Sequence, residues 1–495
     1  MRCGCGGMYL VWLIATLLGA LSFEAAAANG MNSIGTGTAQ LGVAGAGTAM
    51  ALDASATMRN PAAGAWLGNV MTAELGVVVP EGGYRAGSVG ENASIGLLNI
   101  SPGYDRSISG VFPVPSYARN WRLSEQVAVG WSVSASGLNA FSKRGSATLA
   151  RGIPVFEARC EGGFGGGQPQ SPVTDLSSLC GHQAATVGVD LAQVLISGHW
   201  ALRVTPDLSV GIAPVLAVQR IHIGGVGAFA AFSNFPDQTS DNGFDISYGG
   251  GARIGLLWKL GNRVSLGGAY QSRLYQTEFD KYRGSIIGGS LDVAPVINLG
   301  LQFRVMENHR LLLDYEQIRY SEIKPLANRV EPQPFTDNCF VPRLLVRSLP
   351  NSPSLDGCLG GPSGPGFGWH TVSVYKFGYQ GQSGRLIWRA GYSWGGNPIE
   401  KDQVLPTVFA PAITDKHATV GFSWQLTPRL NLGFALIRSV KNRVRAQNTY
   451  SNATPVILGG ALIRLDVGAD DGDQFITNQL SAWQSQFSIS LALPQ

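Results

Sequence analysis

The sequence predicts an all-β fold, a 14-stranded antiparallel transmembrane β-barrel plugged by an N-terminal hatch. Three observations predict it. The first is composition. Charged residues make up 14% of the 495 and Gly contributes 66, whereas soluble domains carry about 25% charged residues. Hydrophobic residues reach 45% and mean hydropathy is +0.09. Yet after the N-terminus no apolar run approaches the ~18 residues that a membrane helix needs. The second is a period-two alternation of large apolar with small polar residues, the pattern of strands with one face in an apolar medium. The third is a regular alternation of short and long connections between those strands.

Taken in order, the chain opens on a targeting segment. Arg2 supplies a positive charge, Met8 to Phe23 is apolar, and Ala25 to Ala28 offers an Ala-x-Ala cleavage site. Residues 1–28 therefore read as a signal peptide. Cys3 and Cys5 precede the apolar stretch and leave with it.

Residues 29–68 read as the hatch. From Asn29 to Ala65 the chain is rich in Gly and Ala, nearly uncharged, and ends in Asn60-Pro61-Ala62 and a small-residue tail. It shows neither strand alternation nor an amphipathic helical face. Small residues permit tight turns and close backbone approach, as a plug inside a larger body requires.

Residues 69–495 read as the barrel. Val127, Val129, Trp131 and Val133 alternate with small residues, as do Val420, Phe422 and Trp424, then Leu430, Leu432, Phe434 and Leu436, then Phe487, Ile489 and Leu491. A soluble sandwich would bury that large face against a second sheet; a membrane barrel turns it to lipid. Six tight polar turns fall at 121–125, 205–207, 261–263, 307–309, 380–384 and 427–429. Seven longer segments lie between and around them, at 81–111, 139–184, 224–245, 277–290, 324–368, 396–415 and 441–478. Six short and seven long connections, with both termini on the short side, make fourteen strands. That asymmetry is typical of outer-membrane barrels and foreign to a sandwich.

Four cysteines remain in the mature chain: Cys160, Cys180, Cys339 and Cys358. They allow three pairings. Each of two polar stretches holds two of them, and local pairing, Cys160 with Cys180 and Cys339 with Cys358, is the simplest choice in an oxidising compartment. No Cys-x-x-Cys or clustered His points to a metal.

Several stretches resemble the FadL family of outer-membrane transporters for long-chain fatty acids and hydrophobic hydrocarbons. Gly35 to Ala62, with Asp53 and the ending Asn60-Pro61-Ala62, resembles that family's N-terminal hatch. Val114-Pro115-Ser116 before the third strand, Leu291 to Tyr320 with Pro295, and Asn397-Pro398-Ile399 add to the likeness. The resemblance implies passive uptake across a bacterial outer membrane. Substrate would stick to a groove between outer loops, move to an interior pocket, and leave through a lateral gap beside a kinked third strand once the hatch shifts. Aligned on Gly42, Met31 falls where the family places a bulky apolar residue reaching into the pocket. Arg220 resembles a basic position of the fifth strand, a partner for a carboxylate. Strict alternation from Leu208 puts Arg220 on the lipid-facing set, however, unless a bulge near Pro214 shifts the parity. Asn60 and Pro61 read as a cap and a fixed turn.

Other site candidates come from the residues themselves. The segment 224–232 is apolar although it lies in an external connection, and exposed apolar loop residues mark binding surfaces. Phe229 and Phe232 are the candidates for the external groove, with Ile286 and Ile287 as its opposite wall. Arg253, Arg304, Arg385, Arg389, Asp314 and Glu316 fall on lumen-facing parities, where a network of opposite charges would brace the wall.

The remaining signals exclude more than they add. Gly35-Thr36-Gly37 and Gly162 to Gly165 do not sit between a strand and a helix, so nucleotide binding is not indicated. Asp470-Asp471-Gly472-Asp473 reads as a solvated loop tip. Gly391 to Gly395 matches Gly-x-Ser-x-Gly literally, but alternation runs on through it, against a nucleophile elbow. The net charge of +4 has no clustered basic patch behind it. The expectation is therefore a monomeric non-enzyme with no cofactor, no metal and no nucleic-acid partner, in contact with outer-membrane lipid and lipopolysaccharide. The alternatives are a lipid-modifying barrel enzyme, an adhesin and a general porin. The final strand departs from the usual pattern: it ends Leu-Ala-Leu-Pro-Gln, not in an aromatic residue.

Overall fold

The structure, a computed structural model, describes residues 28–87, 99–100, 103–142, 147–149, 153–154, 187–226, 230, 232–340, 355–408, 410–448, 453–458, 461–466 and 474–494. The signal-peptide segment 1–27, Cys160, Cys180, Phe229 and the 470–473 acidic run lie outside the described residues.

Fourteen antiparallel strands close into a ring. They are β1 (Val70–Ala86), β2 (Gly103–Ser109 continued by Phe112–Arg122), β3 (Val127–Ser142), β4 (Val187–Arg203), β5 (Leu208–Gly224), β6 (Asp245–Leu260) and β7 (Val264–Gln271, continued by Tyr275–Gln276). Then come β8 (Val296–Met306), β9 (His309–Ile318), β10 (Val372–Ser383), β11 (Leu386–Gly395), β12 (Lys416–Gln425), β13 (Leu430–Gln447) and β14 (Phe475–Ala492). Each strand pairs with its chain neighbours, and β14 closes on β1 from Ala492 with Val70 to Ile476 with Ala86. The six short connections fall where the turn residues place them, and both ends of the ring start from that side.

Alternation sets which face meets what. On β6, Tyr248, Ile254, Leu256 and Trp258 are exposed, while Ser247, Arg253 and Leu257 are buried. The same outward set continues through Trp388, Tyr392 and Trp394 on β11, Val420, Phe422 and Trp424 on β12, and Phe487 and Ile489 on β14. Bare aromatic and branched side chains in that number are tolerated against acyl chains, not water. Tyr248 and Trp258 stand ten positions apart on one strand. At about 3.3 Å per residue and a tilt near 40° they are about 25 Å apart along the normal, the height of an outer-membrane belt. The wall is thus a membrane-spanning barrel of the outer-membrane kind.

The ring is filled by the chain's own N-terminal segment. Ile34 to Ala65 is almost wholly buried. It carries one short helix, α1 (Thr38–Leu41), and two 3-10 turns, Ala54–Met58 and Pro61–Trp66. Its small residues sit directly on inward-facing wall glycines. A Cβ on Gly391 would lie 2.6 Å from the Ala44 nitrogen, and one on Gly211 2.5 Å from the Ala62 nitrogen. Any larger wall residue there would push the plug away.

Two irregularities interrupt the wall. Between Ser439 and Asn442 of β13 the register with β14 slips by one. This bulge reverses which side chains face in, so Val444 and Ala446 point inward above Ser439. The other is in β2, which breaks at Gly110-Val111, with Gly110 at φ 147°. Ladder pairs between β2 and β3 run only from Arg122 with Ala128 to Ser116 with Ser134. Beyond that point both strands continue, β2 against β1 and β3 against β4, with no pair between them. The sequence explains the unpaired stretch. The Leu123 N–H bonds the Val127 carbonyl and the Arg122 N–H bonds the Asn69 side chain. Odd positions of β2 therefore aim at β3. The next odd positions past the last pair are Pro115 and Pro113, which have no N–H to give. In lipid an unmet N–H costs several kcal/mol, so prolines lower the cost of an open seam. Here β3 stays in register with β4 over its whole length, and the break in strand continuity lies in β2.

Candidate functional site

The plug is held by polar contacts from every side of the ring. Arg59 forms a buried ion pair with Glu316 of β9. It also donates to Asn298 of β8 at 2.5 Å and to the Ile34 carbonyl at 3.2 Å. Lys376 of β10 donates to that same carbonyl at 2.7 Å and lies 3.2 Å from Glu316. Asp314 accepts the N–H groups of Gly47 and Thr48 at 3.1 and 2.9 Å. Across the ring, Glu74 of β1 accepts the Thr38 N–H at 2.7 Å, the Ser55 hydroxyl at 3.1 Å and the Ser116 hydroxyl at 2.7 Å. Arg253 donates to the Met58 carbonyl and Arg389 to Gln380 and Ser423. Buried charges persist only when paired or hydrogen-bonded, and these groups meet that condition with the plug in place.

Above the plug, on the long-loop side, the interior is apolar. Tyr84, Leu138, Leu191, Ile221, Ile286, Ile318, Ile323, Trp369, Val372, Val374, Ile413, Val444, Ile476 and Leu480 belong to one buried cluster contributed by strands all round the ring and by the loops above them. Burial holds the phenols of this region in their neutral form. It pushes Tyr282 up to about 12 and Tyr320 further still. Below the plug, a cavity of about 310 Å³ has a mixed wall, with Asp53, Arg389, Gln425 and Arg429 beside Leu52, Trp66, Val70 and Leu430. The two ends of the lumen thus differ: apolar toward the loops, mixed and charge-bearing toward the short turns.

No protein-family profile matches the chain, and no curated protein matches it in sequence. Solved structures do. The P. putida toluene transporter TodX matches at 14% identity and a TM-score of 0.54, over 93% of this chain and 99% of that one. A Pseudomonas aeruginosa FadL homologue matches at 15% identity and 0.56, over 94% and 99%. The CymD monoaromatic hydrocarbon channel matches at 14% and 0.50, over 93% and 98%. The chain has the FadL fold.

Within this FadL fold the expected site residues fall as follows. Met31 is half-buried and packs against the apolar cluster. It sits between two short strands, Ala28–Asn29 and Asn32–Ser33, that pair with each other. Asn60 caps the turn Pro61–Trp66, its Oδ1 accepting the Ala62 N–H at 3.1 Å while its Nδ2 donates to Thr48 and Leu256 carbonyls. Asp53 caps the turn before it through the Ser55 N–H at 2.9 Å. Ala62 is fully buried against the wall.

Arg220 does not reach the lumen. No bulge occurs near Pro214, since β5 keeps one register with β4 and with β6 throughout. Arg220 therefore stays on the outward set, at the loop end of β5. There it meets Asp190 at 3.3 Å and stacks over the Phe244 ring at 4.2 Å. As an interior partner for a carboxylate it is ruled out by parity.

Phe232 and Ile286 part company. Phe232 lies edge-on to Phe335 at 5.7 Å, and its carbonyl accepts the Leu359 N–H at 3.0 Å beside the Cys339–Cys358 disulfide. Ile286 turns into the interior cluster instead, and Ile287 beside it is buried. Arg385, expected in the lumen, stands exposed in the short turn between β10 and β11.

Sequence reasoning missed Glu74, Arg59, Lys376 and Tyr320. A signal was present for two: Lys376 and Glu74 are lone charges inside apolar strands, and such charges face the lumen. It also found no clustered His and drew no link between Ser393 and a His. The FadL fold makes Ser393 and His417 register neighbours, with Oγ 3.2 Å from Nδ1. Ser393 lies on a regular strand paired on both edges, not on the strained turn that exposes a nucleophile.

Proposed function

We propose that this protein carries hydrophobic molecules, such as long-chain fatty acids or aromatic hydrocarbons, passively across the outer membrane. The observation that carries the reading is an apolar interior above a plugged lumen, next to an unpaired seam in the wall. Leu138 joins the two: it belongs to the interior cluster and lies on the stretch of β3 that has no partner in β2. Each methylene moved from water to such a surface gains about 0.8 kcal/mol, so an apolar passenger favours the interior over a wet channel. The cavity beneath the plug, with the charges of Asp53, Arg389 and Arg429 in its wall, is a poorer path for it. Sideways release between β2 and β3 into the lipid keeps the passenger dry throughout. The plug, the segment 29–68, shifts to connect the cluster with the seam, and Met31 is the flexible apolar side chain at its leading edge. The external connections carrying Phe232 and Ile286 gather the substrate. The solved neighbours, described as a toluene transporter and a monoaromatic hydrocarbon channel, agree with this class of passenger.

The test is uptake. Cells lacking the gene, and the same cells carrying it, are compared for accumulation of labelled oleate and labelled toluene. Faster uptake of one or both in the complemented cells is expected. Equal rates for every apolar compound tried would remove the proposal.

A further inference from the structure

The register places one inward residue from each of six adjacent strands in a single row across the inner wall: Asp314, Lys376, Ser393, His417, Ser439 and Ala482. This row is a boundary. One or two inward positions higher, Ile318, Val374, Val444 and Leu480 belong to the apolar cluster. Lower down, Val43 and Ala44 of the plug rest on Gly378 and Gly391. The row is thus a polar shelf under a greasy ceiling.

The charged half of the shelf is committed. Lys376 and Arg59 face Glu316, and Asp314 holds two plug amides. Two cations oppose two carboxylates there. The neutral half is different. His417 and Ser439 are fully buried register partners. The His417 Nδ1 is engaged by Ser393, but His417 Nε2 and the Ser439 hydroxyl have no hydrogen-bond partner among the described residues. A buried polar atom left unmet costs about as much as a lost hydrogen bond, and two such atoms on adjacent strands call for an oxygen from outside the chain.

We propose that His417 and Ser439 form a hydrogen-bonding subsite for the hydroxyl of a neutral amphiphile, a long-chain alcohol or a phenol, whose apolar body lies in the cluster above. This rests on the transport reading and names its passenger more closely. A hydroxyl both donates and accepts, so it satisfies Nε2 in either imidazole tautomer and Ser439 together. An ionised carboxylate only accepts. It would bring a net charge to a row whose cations, Lys376 and Arg59, are already matched by Glu316 and Asp314, and to a position two residues along the chain from the Asp415 carboxylate.

The experiment uses the full-length protein in lipid nanodiscs, with equilibrium dialysis against labelled 1-decanol, n-decane and decanoate and empty nanodiscs as the blank. Variants are His417→Phe, Ser439→Ala and Ser439→Thr. Heat-modifiable gel mobility checks that each barrel is folded. Decanol affinity is expected to fall about tenfold in His417→Phe and Ser439→Ala and to return in Ser439→Thr, with decane affinity unchanged. If His417→Phe does not fold, the Ser439 pair still decides. Equal loss for decane and decanol, or no loss for either, overturns the subsite and leaves the transport reading standing. Decanoate binding as tightly as decanol does the same. Failure of all three compounds to bind the unaltered protein overturns both.

Discussion

The Tyr320 hydroxyl accepts the backbone N–H of Met31 at 2.9 Å. It also accepts that of Asn32 at 3.2 Å and donates to the Asn29 carbonyl at 2.6 Å. One phenol from just past β9 thereby shapes the start of the plug and sets Met31 against the apolar cluster. Gly30 is part of the same fit. It has φ 72°, and a Cβ there would fall 2.6 Å from the Tyr320 oxygen. Tyr320→Phe removes all three bonds and leaves the ring in place. It should loosen residues 29–33 by about 1–3 kcal/mol without unfolding the barrel. Faster amide exchange at Met31 and Asn32, with wall strands unchanged, is the expected reading.

Arg59 is the plug's one ion-pairing residue among the contacts described above. It reaches Glu316, Asn298 and Ile34 at once, so its loss unties the plug from β8 and β9 together. Breaking a buried pair by deleting one partner costs roughly 3–5 kcal/mol. Arg59→Ala should raise amide exchange across residues 34–58. It should also produce ion conductance in planar bilayers where the unaltered protein is nearly silent. A silent variant with native exchange would mean that the glycine-seated packing alone keeps the plug in place.

Much of this was legible in the sequence. Period two is enforced by the membrane itself, because each lipid-facing position must be apolar; hence the strand count and the six turns emerge from the residues alone. Small residues in the plug likewise report its confinement. The site was less legible, for two physical reasons. Contacts such as Glu74 with Thr38 or Arg59 with Glu316 depend on which strand ends up opposite which plug residue, and alternation carries no such information. Arg220 shows the second reason. Its parity was readable, but its partner Asp190 sits 30 residues away on the neighbouring strand, and only the register discloses it.

Cys339 and Cys358 are bonded, as local pairing implied. The bond closes a loop within the long connection between β9 and β10, and that loop meets the connection between β5 and β6 where Ser233 bridges Leu359 and the Asn234 N–H bonds the Leu359 carbonyl at 3.0 Å. A loop closed over 19 residues gains about 3 kcal/mol in the chain-entropy account, and here the gain is local. Replacing both cysteines by Ser should leave heat-modifiable mobility untouched while speeding protease cleavage within the 319–371 connection. Substrate capture should weaken with it, because Phe232 loses its backing.

The seam between β2 and β3 yields the sharpest prediction. Continuing the register past Ser116 with Ser134 would set Pro115 opposite Ala135, both on the outward set. Pro115→Cys with Ala135→Cys, joined by a bis-methanethiosulfonate linker, would tie the strands across the gap. If passengers leave sideways, the linked protein should bind decanol as before but lose most uptake, and dithiothreitol should restore it. A pair lower on the same strands, Tyr117→Cys with Val133→Cys, lies where the ladder is already closed, and linking it should leave uptake unchanged. Undiminished uptake through the linked upper pair would point instead to the cavity beneath the plug as the way out. The two prolines supply a second arm. Pro113→Val with Pro115→Val returns two N–H groups aimed at β3, which favours extending the ladder upward. Slower uptake with a more heat-stable barrel is the expected pair of effects. Their appearance together would tie the conductive gap to the absence of those two donors.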